Sequence, residues 1–186
     1  MKTKEAKKMA ESVIEEFILR WQINPYEWLY EGDIEAEIAQ RIRSRLSSLD
    51  VQYVRARHEH EHERDNLFSR VTCRPYVKPF KNDRAIHPDI VLWDDSSESP
   101  YINSGLWGIL WVCEIKTGFS WPRGTENDHE RLLRLLSSGR TASACQLIFV
   151  QSAEKGSDMC SKAIDEANTN LTVYTVYLPA GKESQR

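Results

Sequence analysis

The sequence predicts a mixed α/β fold, on three observations. Residues 4 to 21 and about 33 to 46 carry apolar side chains at helical spacing. Two later runs, Ile109 to Thr117 and Ala144 to Gln151, are apolar on both faces, as expected of central strands covered on both sides. A third helical pattern separates those runs, so helix and strand alternate along the chain. A length of 186 residues fits one domain. Its expected parts are an N-terminal helix and aromatic connector (1–30), a core (31–180) and a flexible polar tail (181–186).

The elements follow in order. Met9, Val13, Ile14, Phe17 and Ile18 form one stripe of the first helix, and Asn24-Pro25 breaks it. Pro25 to Tyr30 is a short connector rich in aromatic residues. The second helix is expected to open near Asp33, with Ile34, Ile38, Ala39, Ile42 and Leu46 as its buried stripe. Val51 to Arg57 alternates weakly. Arg70 to Val77 reads as a strand that Pro75 and Pro79 push toward an edge. Ile86 to Trp93 is a further strand, followed by a polar loop, Asp94 to Pro100. After the central strand Ile109 to Thr117 come a helix over Asn127 to Leu136 and the strand Ala144 to Gln151. A short helix over Asp158 to Ala167 and a last strand, Leu171 to Leu178, complete the expected order.

Composition narrows the class. Hydrophobic residues are 40% and charged residues 28% of the chain, which supplies a core and excludes a wholly disordered protein. No apolar run approaches the roughly eighteen residues of a membrane span, and the charged start is unlike an export signal. The expected setting is therefore cytoplasmic, without a membrane partner. Cys73, Cys113, Cys145 and Cys160 lie far apart with no Cys-x-x-Cys pair, so they read as reduced thiols and not as a zinc site. The net charge is −3, yet residues 41 to 84 hold eleven Lys/Arg against six Asp/Glu. That local excess suits a phosphate backbone on one face. Motifs of P-loop NTPases, serine hydrolases and zinc peptidases are absent.

The residues that point to chemistry are Pro88-Asp89 at one strand and Glu114-Ile115-Lys116 at the end of another. Side chains alternate along a strand, so Glu114 and Lys116 share a face with Leu110 and Val112. An acid and a lysine at the end of an apolar strand are costly to bury unless they bind something. If the strands ending at Trp93 and starting at Ile109 or Leu110 form an antiparallel hairpin, opposed residue numbers sum to about 203, which places Asp89 opposite Glu114. Adjacent carboxylates repel, and a divalent cation or a shared proton relieves them; oxygen ligands suit Mg²⁺ or Mn²⁺.

With Pro-Asp opening Ile90 to Trp93 and Glu-x-Lys ending Ile109 to Cys113, the chain resembles the PD-(D/E)xK nuclease superfamily, whose restriction-endonuclease-like core runs helix, three strands, helix, strand. The resemblance covers about Ile34 to Gln151 and identifies no subfamily. The extra N-terminal helix and the C-terminal helix and strand lie outside it. It implies Mg²⁺-dependent phosphodiester hydrolysis, with Mn²⁺ as a substitute and DNA as the expected substrate. On that pattern Asp89 and Glu114 bind metal, the Ile115 carbonyl adds a ligand, and Lys116 activates the attacking water. The family often adds a glutamate from the helix before the sheet. Glu31, Glu35 and Glu37 are candidates; Glu35 falls within the Ile38, Ala39, Ile42 stripe and is preferred, with Glu31 second. A homodimer is compatible with this reading, since a single site cuts one strand only.

Other features allow two readings. His58, His60 and His62 would share one face of a strand and suit a metal, but a solvated charged segment is preferred. His87 beside Pro88 either contacts phosphate or fills a half-buried position. Arg131 and Arg134, flanked by Arg123 and Arg140, either hold nucleic-acid backbone or form an ordinary solvated helix face. Trp121 either stacks on a base or caps the core. The alternative to an enzyme is a catalytically inactive nucleic-acid-binding or protein-interaction module on the same fold.

Overall fold

The computed structural model describes residues 2–28, 30–56, 66–95, 104–118, 122–151, 160–165 and 168–178. Helix α1 (Thr3–Ile23) buries Ala10, Val13, Ile14, Phe17, Ile18 and Trp21, at alternating steps of three and one. It ends at Asn24, where Pro25 opens a single 3-10 turn (Pro25–Glu27). Helix α2 (Glu31–Ser48) starts two residues earlier than expected. Asp33 is not its cap but its third residue, where its carboxylate accepts the Tyr30 N–H at 3.4 Å. Glu31 therefore belongs to the first turn of the helix. Glu35 is buried in the same stripe as Ile34, Ile38, Ala39, Ile42 and Leu46.

The strands are β1 (Tyr53–Ala56), β2 (Asn66–Ser69), β3 (Val71–Cys73), β4 (Ile90–Trp93), β5 (Ile109–Gly118), β6 (Ala144–Val150), β7 (Cys160–Ile164) and β8 (Leu171–Tyr177), with helix α3 (Thr125–Ser137) between β5 and β6. β1 and β2 form a small antiparallel pair, and the other six form one sheet in the order β3-β4-β5-β6-β8-β7. The contacts β3/β4, β4/β5 and β7/β8 are antiparallel; β5/β6 and β6/β8 are parallel. The succession α2, β3, β4, β5, α3, β6 has the core order expected from the sequence, with α1 added in front. It is generically consistent with a restriction-endonuclease-like fold.

Helices α1 and α2 pack on one face, over Leu92, Trp111, Cys113, Ile115, Leu147 and Phe149. Helix α3 packs on the other, where Leu132 and Leu135 meet Val91, Trp93, Val112 and Ala144. Covering both faces explains why β6 and most of β5 are buried. Phe149 lies edge-on to Phe17 (ring centroids 5.9 Å) and tilted against Trp21 (4.9 Å), which locks α1 to the sheet. Each such buried ring contributes about 1.5–3 kcal/mol of transfer free energy.

Four expectations need correction, the first being the strand expected over Ile86 to Trp93, which is a strand only over Ile90–Trp93 and leaves Asp89 just outside it. Within the range expected as a helix, Asp158 to Ala167, the described residues Cys160–Ile164 form an edge strand instead: β7 pairs with β8 from Cys160↔Val176 to Ile164↔Thr172. Backbone pairing at the sheet edge overrides the helical propensity of this polar segment. Leu110 does not share the face of Glu114, because the β4/β5 register shifts between Leu92 and Trp93 and Leu110 joins the α1/α2 side. The strand expected from Arg70 to Val77 is paired only over Val71–Cys73; Arg74 leaves it with a left-handed backbone (φ 49°), and Val77 returns as an isolated bridge to Ile86.

All four cysteines are free. No helix among the described residues is long and apolar enough to cross a membrane. The His58–His62 run, Trp121 and the tail from 181 lie outside the described residues.

Candidate active site

The β4/β5 register is Ile90↔Cys113, Val91↔Val112 and Leu92↔Trp111, each pair summing to 203 as the sequence arithmetic required. Asp89 and Glu114 are the next positions beyond Ile90 and Cys113. Both are nearly inaccessible, at 7% and 4% exposure. Asp89 Oδ2 accepts the Ile115 N–H at 2.7 Å, a bond that favours its charged form. Burial nevertheless raises Asp89 above the ordinary carboxylate range, with a further push from Glu35. Burial and the Asp89 charge push Glu114 further, up to about 9. Near neutral pH Glu114 therefore holds its proton.

Lys116 follows on the same face as Glu114. Its Nζ lies 3.0 Å from Asp128 Oδ2 and 3.6 Å from Glu31 Oε2. Burial pulls the ammonium down, but the ion pair with Asp128 and the charges of Asp128, Glu31 and Asp89 outweigh it, and the net shift is upward. Glu31 also accepts the Thr117 N–H at 3.3 Å, so the first turn of α2 is tied to the end of β5.

Asp128, in the first turn of α3, was not anticipated. It is 4% exposed and pairs with Lys116 and with Arg131 Nη1, the latter at 2.9 Å. Its signal was present in the sequence: Asp128 precedes Leu132 by four residues and Leu135 by seven, on the buried stripe of α3. Gln146 was also missed. It is the register partner of Glu114 on β6, and its amide donates to the Thr125 carbonyl at 2.7 Å, which fixes where α3 begins. Its Oε1 lies 3.0 Å from His129 Nδ1, and His129 Nε2 lies 2.9 Å from Asp165.

Among the glutamates of α2, Glu35 is 6% exposed and accepts Arg74 Nε at 2.9 Å. The same Arg74 nitrogen lies 3.8 Å from Asp89. Glu37 instead pairs with Arg41 and Arg20, away from the carboxylate pair. Of the three glutamates, Glu35 and Glu31 therefore reach the groups around Asp89 and Lys116, and Glu37 does not.

The remaining candidates lie around this centre. His87 is exposed, with Nδ1 3.4 Å from the Arg74 carbonyl oxygen. Arg131 and Arg134 are about half exposed, and each is in an ion pair, with Asp128 and Asp83 respectively. Arg123 is exposed just before α3. Arg140 donates to the Pro79 and Leu106 carbonyls, at 3.1 and 3.0 Å, and so pins two loops.

Five carboxylates (Glu31, Glu35, Asp89, Glu114, Asp128) thus face three cations (Arg74, Lys116, Arg131), a surplus of two negative charges when all are ionised. Oxygen donors with that surplus fit a divalent hard cation such as Mg²⁺ or Mn²⁺. Among the described residues, however, no three His, Cys, Asp or Glu side chains already converge as a metal cluster. Glu35 is engaged by Arg74 in an ion pair.

No protein-family model, curated protein or solved structure matches this chain.

Proposed function

We propose that the chain is a metal-dependent nuclease of the PD-(D/E)xK type, hydrolysing phosphodiester bonds, with DNA as its substrate. The observation that carries this reading is the buried Asp89–Glu114 pair, Asp89 just before β4 and Glu114 on β5 one position past the Ile90↔Cys113 partners, with Lys116 two residues on and Glu35 beside it. A structural role explains poorly why a sheet centre should bury two carboxylates against each other at the cost of a raised pKa.

Asp89 and Glu114 would hold Mg²⁺, with the Ile115 carbonyl as a further donor and Glu35 reaching the same centre. Bound there, the metal would supply Lewis-acid polarisation of a phosphate oxygen and an acidified water. The Ile115 N–H orients the Asp89 carboxylate. Lys116, held cationic between Asp128 and Glu31, donates to the attacking water or to the charge that develops on the phosphate oxygens. Asp128 positions that ammonium. Arg123, Arg131, Arg134 and His87 would meet the nucleic-acid backbone in this reading.

One observation favours a second reading, a non-catalytic nucleic-acid-binding module: Arg74 and Lys116 already neutralise much of the cluster without a metal. Incubation of supercoiled plasmid with Mg²⁺ or Mn²⁺ separates the two. Nicking or linearisation by the wild type, and its loss in Asp89→Asn, supports the nuclease; binding of plasmid without cleavage in either metal supports the module.

A further inference from the structure

We propose that Arg74 is a substrate-binding residue of this site: its guanidinium neutralises Glu35 and Asp89 in the metal-free chain and passes to the substrate's phosphate when a divalent cation takes its place. The inference rests on the nuclease reading and adds a residue that neither the sequence pattern nor the paired carboxylates singled out.

Three observations converge on Arg74. The first is its backbone. Among the described residues only Asp50 and Arg74 have positive φ without being glycine. Such a conformation costs roughly 1 kcal/mol or more for a residue with a Cβ. It occurs where β3 breaks off, while the Arg74 N–H still bonds the Asp89 carbonyl at 3.0 Å. The chain thus leaves the ladder at the residue whose side chain meets the carboxylates.

The second is the geometry of the guanidinium. Only Nε faces the carboxylates, 2.9 Å from Glu35 and 3.8 Å from Asp89. Among the described residues no hydrogen bond engages its two Nη groups, and the side chain is 57% exposed. The forked end that matches two phosphate oxygens is therefore open to solvent. Arg74 also lines an open groove along α2 with Gly32, Ala36, Gln40 and Arg43, which leaves the side chain room to move.

The third is charge. A divalent cation displaces the Glu114 proton and still adds one net positive charge to the cluster, so the cluster's hold on Arg74 weakens on loading. An incoming phosphodiester then brings a new negative charge to the same place. Lys116 does not answer it equally, because Asp128 and Glu31 hold its ammonium from two sides.

The test uses Arg74→Asn, since Asn tolerates left-handed backbone, and Arg74→Lys, which keeps the charge but not the fork. Two quantities are read besides activity: Mn²⁺ affinity by calorimetry, and binding of a short DNA duplex in Ca²⁺ across a salt series. Removing a like charge from beside the metal should tighten Mn²⁺ binding in Arg74→Asn by roughly three- to tenfold. The same variant should bind DNA more weakly, with a salt slope reduced by about 0.9, the equivalent of one phosphate contact. Arg74→Lys should keep the wild-type Mn²⁺ affinity and bind DNA with intermediate strength. If the wild type takes up Mn²⁺ but Arg74→Asn shows unchanged or weaker Mn²⁺ binding, or an unchanged salt slope, Arg74 is a structural ion-pair partner and the proposal fails by itself. If the wild type takes up no Mn²⁺ at all, the nuclease reading fails and the Arg74 role falls with it.

Discussion

Replacing Glu114 by Gln should make the metal-free chain more stable at neutral pH, not less. Burial and the Asp89 charge raise the Glu114 carboxyl from 4.5 to about 9. The folded chain therefore holds this proton more tightly than the unfolded chain does. The associated stability is fully present below pH 4.5 and is lost as pH rises through about 9. Within that window each pH unit costs about 1.4 kcal/mol. At about pH 7.5, some three units above 4.5, the penalty reaches about 4 kcal/mol. Glutamine keeps the shape, carries no titrating proton and can donate to Asp89, so this figure is the ceiling of the gain. A realised gain of about 1–4 kcal/mol is expected, which for a chain of this size raises Tm by about 3–12 °C. Thermal melts in chelator across the pH range are the assay. The variant and the wild type should nearly coincide in mild acid and separate progressively toward alkaline pH. Asp89→Asn relieves the same repulsion, so the double variant should gain less than the sum of the two single ones. An unstable Glu114→Gln at neutral pH, or a gap that does not grow with pH, would refute the argument.

Asp128→Asn removes the closest anion from Lys116 and Arg131, and a broken buried pair costs roughly 3 kcal/mol. Urea unfolding should show that loss, and cleavage should fall while Mn²⁺ affinity stays within about threefold of the wild type. Arg70 is 2% exposed and donates to the Val51, Tyr53 and Trp93 carbonyls and to Asp95, clipping β1/β2 to the main sheet. Arg70→Ala leaves those carbonyls unsatisfied and should destabilise by about 2–4 kcal/mol in denaturant melts, with no change in m-value if the fold persists. DNA binding should weaken at least about tenfold between low and moderate salt, as phosphate neutralisation requires; salt-independent binding would count against a nucleic-acid substrate.

The centre of the fold was legible because its signals are local. The apolar runs of β5 and β6 reflect burial on two faces, and strand alternation fixed Glu114 and Lys116 to one side. The sum of 203 followed from taking the strands that end at Trp93 and begin near Ile109 as an antiparallel pair, and it held through β4 and β5 until the shift at Trp93. Glu35 was found because an acid on an apolar helical stripe must face the sheet; the same rule applied to α3 would have found Asp128. Arg74 gave no such signal, because its place depends on where β3 leaves the ladder and on the α2 carboxylate it meets, both tertiary facts. β7 was misread because a short, exposed segment with Ala163 and Ile164 resembles a helix until β8 supplies a partner. The basic stretch was visible as charge, yet the structure engages several of its members: Arg70 in a clip, Arg74 at the carboxylates, Arg41 on Glu37.

Calorimetric titration of Mn²⁺ into the wild type, Asp89→Asn, Glu114→Gln and Lys116→Ala tests the central claim most directly. The carboxylate pair should be the metal's seat and Lys116 should not, so the wild type and Lys116→Ala should both bind, and each carboxylate variant should lose affinity by roughly tenfold or more. Equal Mn²⁺ affinity in all four proteins, or no binding by the wild type, would contradict it: Asp89, Glu114 and Lys116 would then be a buried ionic cluster of a non-catalytic fold.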